Sequence, residues 1–119
     1  MMRVFVVDDE KSIADTLAAI FRMNGYEATA FYNADDALAA CEHTCPDFVF
    51  TDVQMPGGDG VSLAIQIQTR YPTCQIILIT AHAASEEYLE RARKRGFDFE
   101  LLNKPIHPVH LLARLLAAA

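Results

Sequence analysis

Residues 4–12 read VFVVDDEKS. Four apolar residues, each β-branched or aromatic, run straight into Asp8, Asp9 and Glu10. Such a run has the character of a buried strand. Adjacent carboxylates at its end repel one another, and burial disfavours their charge. The stretch therefore raises two questions: what covers this strand on both faces, and what compensates its acids.

The same pattern recurs down the chain. Phe48–Thr51 is a second such run, ahead of Asp52, and Gln75–Ile79 is a third, ahead of Thr80. Glu27–Phe31 is a weaker strand, and Phe97–Leu102 holds a fifth. Helical spacing fills the gaps. Ile13, Leu17, Ile20 and Phe21 lie on one helix face, which stops at Asn24-Gly25. Asn33, with Asp36 three residues later, opens a helix that carries Ala37, Leu38 and Cys41 inward and ends before Pro46. Val61, Ala64, Ile65 and Ile67 define a helix to about Tyr71, after a loop at 55–60. Ser85 is a plausible N-cap, with Glu86 and Glu87 in the first turn. Arg91, Arg93, Lys94 and Arg95 come late, as the helix dipole favours. His107-Pro108 opens a last helix with Leu112, Leu115 and Leu116 inward.

Strands alternate with helices, and the first, third and fourth strands are continuous apolar runs. This is the signature of a parallel sheet covered on both faces. With right-handed crossovers it becomes a doubly wound α/β fold of flavodoxin-like type, with five strands in the order 2-1-3-4-5 and five helices. The 119 residues suffice for one domain with a real core, so 1–119 is read as a single unit.

Composition narrows the function. A net charge of −6 argues against a nucleic-acid surface and favours cations or basic partners. No run is long and apolar enough to span a bilayer, and the N-terminus enters a strand without a signal peptide, so a cytoplasmic location is expected. Cys41, Cys45 and Cys74 lack a CxxC pair, and His43 alone completes no zinc pattern; they read as reduced structural thiols.

Ligands of doubly wound sheets sit at the carboxyl ends of the strands. Those ends carry Asp8-Asp9, Asp52, Thr80 and Lys104-Pro105. Carboxylates around one crevice call for a cation, and hard oxygen donors without His or Cys suit Mg²⁺ or Mn²⁺. Lys104 is a point charge suited to phosphate, and Thr80 offers a hydroxyl. These are the parts phosphoryl transfer needs. A carboxylate can itself be the nucleophile, and Asp52 is the candidate because it stands alone at its strand end. Asp8 and Asp9 would hold the metal. Asp59 reads as a loop or cap residue and Glu10 as a solvated acid.

With VVDDE at 6–10, TDVQMPGGDG at 51–60, ITA at 79–81 and NKP at 103–105, the chain resembles the receiver domain of bacterial two-component response regulators over nearly its full length. The resemblance implies that Asp52 accepts a phosphoryl group from a phosphohistidine on a histidine kinase or a histidine phosphotransfer protein. It implies direct Mg²⁺ ligation by Asp9 and Asp52, a largely water-mediated role for Asp8, and a further ligand in the backbone carbonyl of Gln54. Thr80 would move to the phosphoryl oxygen and Lys104 would pair with it, with a cis bond at Lys104-Pro105. The output face would be the fourth helix, fifth strand and fifth helix, which also allows a homodimer. Neither direct nucleic-acid binding nor a membrane is implied for the domain.

Three departures stand out. Leu101 occupies the position three before the lysine, where receivers commonly carry a switching Tyr or Phe, and Phe99 lies two residues earlier on the same strand face. Gly58 stands where methionine is frequent. Gln54 and His82 occupy positions that border the phosphoryl group in receivers. Three other functions compete; one is a degenerate receiver that works only as a protein-binding module, against which the full acid set and Lys104 argue. A phosphatase with an aspartyl nucleophile would use the Asp8–Glu10 spacing but normally needs a cap, and no segment is long enough. A flavin carrier would want a phosphate-binding loop where DDEKS is acidic.

Overall fold

A computed structural model of the chain describes residues 2–55, 58–81 and 85–118. Its elements run β1 (Arg3–Val7), α1 (Lys11–Met23), β2 (Glu27–Phe31), α2 (Ala34–His43), β3 (Phe48–Asp52), β4 (Gln54–Met55), β5 (Gly58–Asp59), α3 (Gly60–Arg70), β6 (Gln75–Thr80), α4 (Ser85–Lys94), β7 (Glu100–Asn103) and α5 (Pro108–Ala118). The main sheet is parallel, in the order β2-β1-β3-β6-β7. Once the two-residue β4–β5 ribbon is set aside, this is the expected 2-1-3-4-5.

The apolar runs are continuous because each strand feeds two cores. Successive side chains on a strand point to opposite faces. Val4 and Val6 join Phe48, Phe50, Ile77 and Ile79 under α1 and α5. Phe5 and Val7 join Val49, Ile76 and Leu78 under α2, α3 and α4. Both layers are closed: Val4, Phe50, Ile67, Leu78, Leu111 and Leu115 are fully buried.

The caps follow the chain's local chemistry. The Asn33 side chain accepts the Asp36 N–H at 2.7 Å and donates back to the Asp36 carboxylate at 2.9 Å, a reciprocal N-cap. Asp59 caps α3 by accepting the Ser62 N–H at 2.7 Å. Gly25 and Gly96 end their helices at φ of 91° and 89°, where a β-carbon would be strained.

Several boundaries and faces differ from the sequence reading. The fifth strand begins at Glu100 rather than Phe97. The turn at Gly96 sends the Phe97 N–H back to the Ala92 carbonyl at 2.9 Å, so Phe97–Phe99 forms an irregular lead-in instead of pairing with β6. The expected loop at 55–60 overlaps the β4–β5 ribbon, which starts at Gln54; Pro56 and Gly57 lie outside the described residues. The buried face of α1 is Ala14, Ala18 and Phe21, with Ile13, Leu17 and Ile20 on its flanks. On α5 the inward residues are Leu111 and Leu115; Leu112 is half-buried and Leu116 is 70% exposed.

Candidate functional site

Register places the polar residues in one row. Val7 pairs with Thr51, so Asp8 and Asp52 leave the sheet side by side. Asp52 pairs with Ile79 and Thr80 with Asn103, so Thr80 and Lys104 follow on the next two strands. The Asp8 N–H donates to Phe31 O at 3.0 Å and the Lys104 N–H to Thr80 O at 2.7 Å, which continues the ladder past the strand ends. The Lys104-Pro105 peptide bond is cis, as the resemblance implied.

Lys104 is the positive pole, and it reaches both carboxylates. Its Nζ lies 2.9 Å from Asp8 Oδ2 and 3.7 Å from Asp52 Oδ2. Asp8 Oδ1 accepts the Glu10 N–H at 3.0 Å, so both Asp8 oxygens are engaged. Asp8 and Asp52 are buried, whereas Asp9 is exposed. Oxygens of Asp8, Asp9 and Asp52 nevertheless come within 4.8 Å of one another.

The electrostatics single out Asp52. Burial pushes its carboxyl up to about 6; Asp8 and Asp9 push the same way, and Lys104 and the Gln54 backbone N–H only partly offset them. Burial alone would lower Lys104, but its bond to Asp8 and the charge of Asp52 outweigh that, and its affinity for the proton is raised. Two of the three carboxylates, Asp8 and Asp52, thus share one lysine. Among the described residues this is the one carboxylate, thiol or imidazole cluster able to hold a metal, and its all-oxygen donor set fits a hard divalent cation.

A backbone feature missed in the sequence fixes Asp52. The Gly60 N–H donates to Val53 O at 2.7 Å. A β-carbon built on Gly60 would lie 1.9 Å from the Asp52 carbonyl oxygen and 3.0 Å from Thr51 Oγ1. The start of α3 is therefore clamped onto the peptide that carries Asp52, an approach open only to glycine. The one available signal was a glycine directly before an apolar helical run.

The remaining candidates fall as follows. Thr80 is fully buried at the end of β6. Gln54 begins the β4–β5 ribbon opposite Asp59 and is half-buried. Glu10 is exposed and precedes α1 without a side-chain cap, as expected. Phe99 is buried in the layer under α4, stacked on Phe97 at 5.9 Å, and Leu101 packs against the same layer. His82 lies outside the described residues. The cysteines are free thiols, Cys41 and Cys74 buried and Cys45 exposed.

Comparison with known proteins agrees with this geometry. Residues 4–116 match the family model of the response regulator receiver domain. The chain is 36% identical over 102 residues to the DNA-binding transcriptional regulator NtrC of Salmonella typhimurium, covering 86% of this chain and 21% of that protein. It is 36% identical over 106 residues to a response regulator receiver protein of Anaeromyxobacter, covering 89% of this chain and 44% of that one. The chain thus spans about a fifth of the NtrC relatives it matches. Among solved structures, a CheY-like receiver domain protein of Methanospirillum hungatei superposes with a TM-score of 0.89 at 26% identity, covering 98% and 92% of the two chains. The response regulator TrrA of Thermotoga maritima, solved in complex with Mg²⁺ and BeF, gives 0.84 at 28% identity over the whole of both chains. Sheet order, the acid row with its lysine and these matches lead to one conclusion: this chain belongs to the response regulator receiver domain family of two-component systems.

Proposed function

We propose that this chain is one receiver unit whose phosphoacceptor is Asp52. The carrying observation is the convergence on Asp52 of two further carboxylates and one lysine at the carboxyl edge of the sheet. An Asp52 carboxylate oxygen attacks the phosphorus of a phosphohistidine on a histidine kinase or phosphotransfer protein, and the bond from phosphorus to the imidazole nitrogen breaks. Lys104, 3.7 Å from Asp52, supplies positive charge beside the new phosphoryl group, and the Thr80 hydroxyl donates to one of its oxygens. The acceptor is a regulatory group rather than the centre of turnover on a separate substrate.

Asp9, Asp52 and the Gln54 backbone carbonyl would hold Mg²⁺, or Mn²⁺, with Asp8 acting through water because both its oxygens are already engaged. The bound ion supplies neutralisation of charge on the acids and on the incoming phosphoryl oxygens. Output passes through α4, β7 and α5, where Phe99 and Leu101 take the place of a surface aromatic; this face also suits a homodimer. Among the described residues no helix is long and apolar enough to cross a membrane.

Incubation with acetyl phosphate and Mg²⁺, read by intact mass, tests the assignment. A phosphoryl adduct that disappears in Asp52→Asn is the expected result. No adduct on the unmodified chain, or an undiminished one in Asp52→Asn, refutes it.

A further inference from the structure

The chain's basic residues are unevenly satisfied. Arg3, Arg70, Arg93, Lys104 and Arg114 each hold a carboxylate. Among the described residues Lys11, Arg22, Arg91, Lys94 and Arg95 hold none; Lys11 lies over the Tyr32 ring and Arg22 donates to the Ala28 carbonyl, whereas Arg91, Lys94 and Arg95 are exposed together at the end of α4, Arg95 one residue beyond it. In a protein of net charge −6, the unneutralised cations on α4 are gathered on one ridge. That ridge borders a cleft of about 130 Å³ between α3 and α4. Its walls include Val61, Ile65, Tyr88 and Asp59, and Arg91 and Arg95 stand along its edge one helical turn apart. Arg91 lies over the Tyr88 ring at 4.8 Å, which fixes the guanidinium at the rim without consuming its charge. The cleft's own acid, Asp59, is occupied by the Ser62 N–H and hydroxyl at 2.7 and 3.1 Å.

We infer that the α3–α4 cleft docks an acidic protein segment, with one aliphatic side chain in the cleft and flanking Asp or Glu residues on Arg91 and Arg95. Charge complementarity supplies the orientation, and the small apolar floor of Val61 and Ile65 supplies the anchor. A nucleic acid fits less well. Glu86 and Glu87 hold the first turn of α4 and Glu90 follows, so a continuous phosphate track running along the helix would leave its basic end and meet them, whereas a short acidic segment stays at that end. The inference stands on this surface alone and does not depend on the role of Asp52.

The test uses the full chain and a short fluorescein-labelled peptide with one leucine flanked by glutamates on both sides. Fluorescence anisotropy should show saturable binding, weakened at least about tenfold in Arg91→Glu/Arg95→Glu and little changed in the matched reversal Arg3→Glu/Arg70→Glu. Amide shifts in a ¹⁵N spectrum should centre on α3 and α4, and the neutral pair Arg91→Gln/Arg95→Gln guards against a misfolded variant. Absent binding, equal loss in both reversals, shifts centred elsewhere, or tighter binding of a single-stranded oligonucleotide than of the peptide would overturn the inference.

Discussion

Gly60 and Asp52 are in backbone contact: a methyl group on the glycine would sit 1.9 Å from the aspartate's carbonyl oxygen. No rotamer change relieves that clash, because the opposing atom is main chain. Gly60→Ala must move either α3 or the end of β3. Loss of about 2 kcal/mol or more is expected in denaturant unfolding, together with slowed adduct formation from acetyl phosphate. Wild-type stability in this variant would show that the contact is not rigid.

Asp52 also carries a pH signature. The folded carboxyl holds its proton up to about 6, against an ordinary value of 3.8. Between those values the folded chain binds more protons than the unfolded one, so stability falls as pH rises through this window. Asp52→Asn removes that contribution. In metal-free buffer the variant should be about 2–3 kcal/mol more stable than wild type above pH 6, with the gap closing toward pH 4. Thermal melts of both proteins across this range measure it; a gap that widens on acidification has the wrong sign.

Divalent metal should reverse the penalty. At the proposed site Mg²⁺ would compete with the proton on Asp52, so its affinity should fall about tenfold per pH unit below 6 and binding there should release protons. Lys104→Met should raise the Asp52 midpoint further and cost about 3 kcal/mol in metal-free buffer, with much of the loss recovered on adding Mg²⁺. Isothermal titration in two buffers of different ionisation enthalpy reads the proton release directly.

The thiols divide by burial. Burial pushes Cys41 up to about 11 and Cys74 up to about 12, and both are inaccessible, whereas Cys45 is exposed. A disulfide reagent at pH 8 should modify Cys45 alone in the native chain and all of Cys41, Cys45 and Cys74 after denaturation. Rapid native labelling of Cys74 would place it elsewhere.

The readable parts of this fold share a physical cause. A strand buried on both faces must be apolar throughout, so Val4–Val7 and Phe48–Phe50 announced themselves, and a parallel sheet puts its chemistry at the carboxyl ends, so Asp8, Asp52, Thr80 and Lys104 could be grouped. The hidden parts depend on tertiary geometry. Leu116 has the same spacing as an inward residue but projects outward, because α5 meets the sheet through Leu111 and Leu115. Phe97 looks like strand and lies in a lead-in, because the Gly96 turn redirects its N–H. Lys104 could be matched to phosphate by chemistry, yet its bond to Asp8 came only from the fold.

The bond between Lys104 and Asp8 links residues 96 apart in sequence. A nascent chain that has displayed only β1 to β6 presents every acid of the site without Lys104, the lysine that pairs with them. Acquisition of the cation coincides with addition of β7 and with α5 delivering Leu111 and Leu115 to the core beside α1. Electrostatic balance and hydrophobic closure are thus completed by the same late segment, and an early-terminated product would lose both at once.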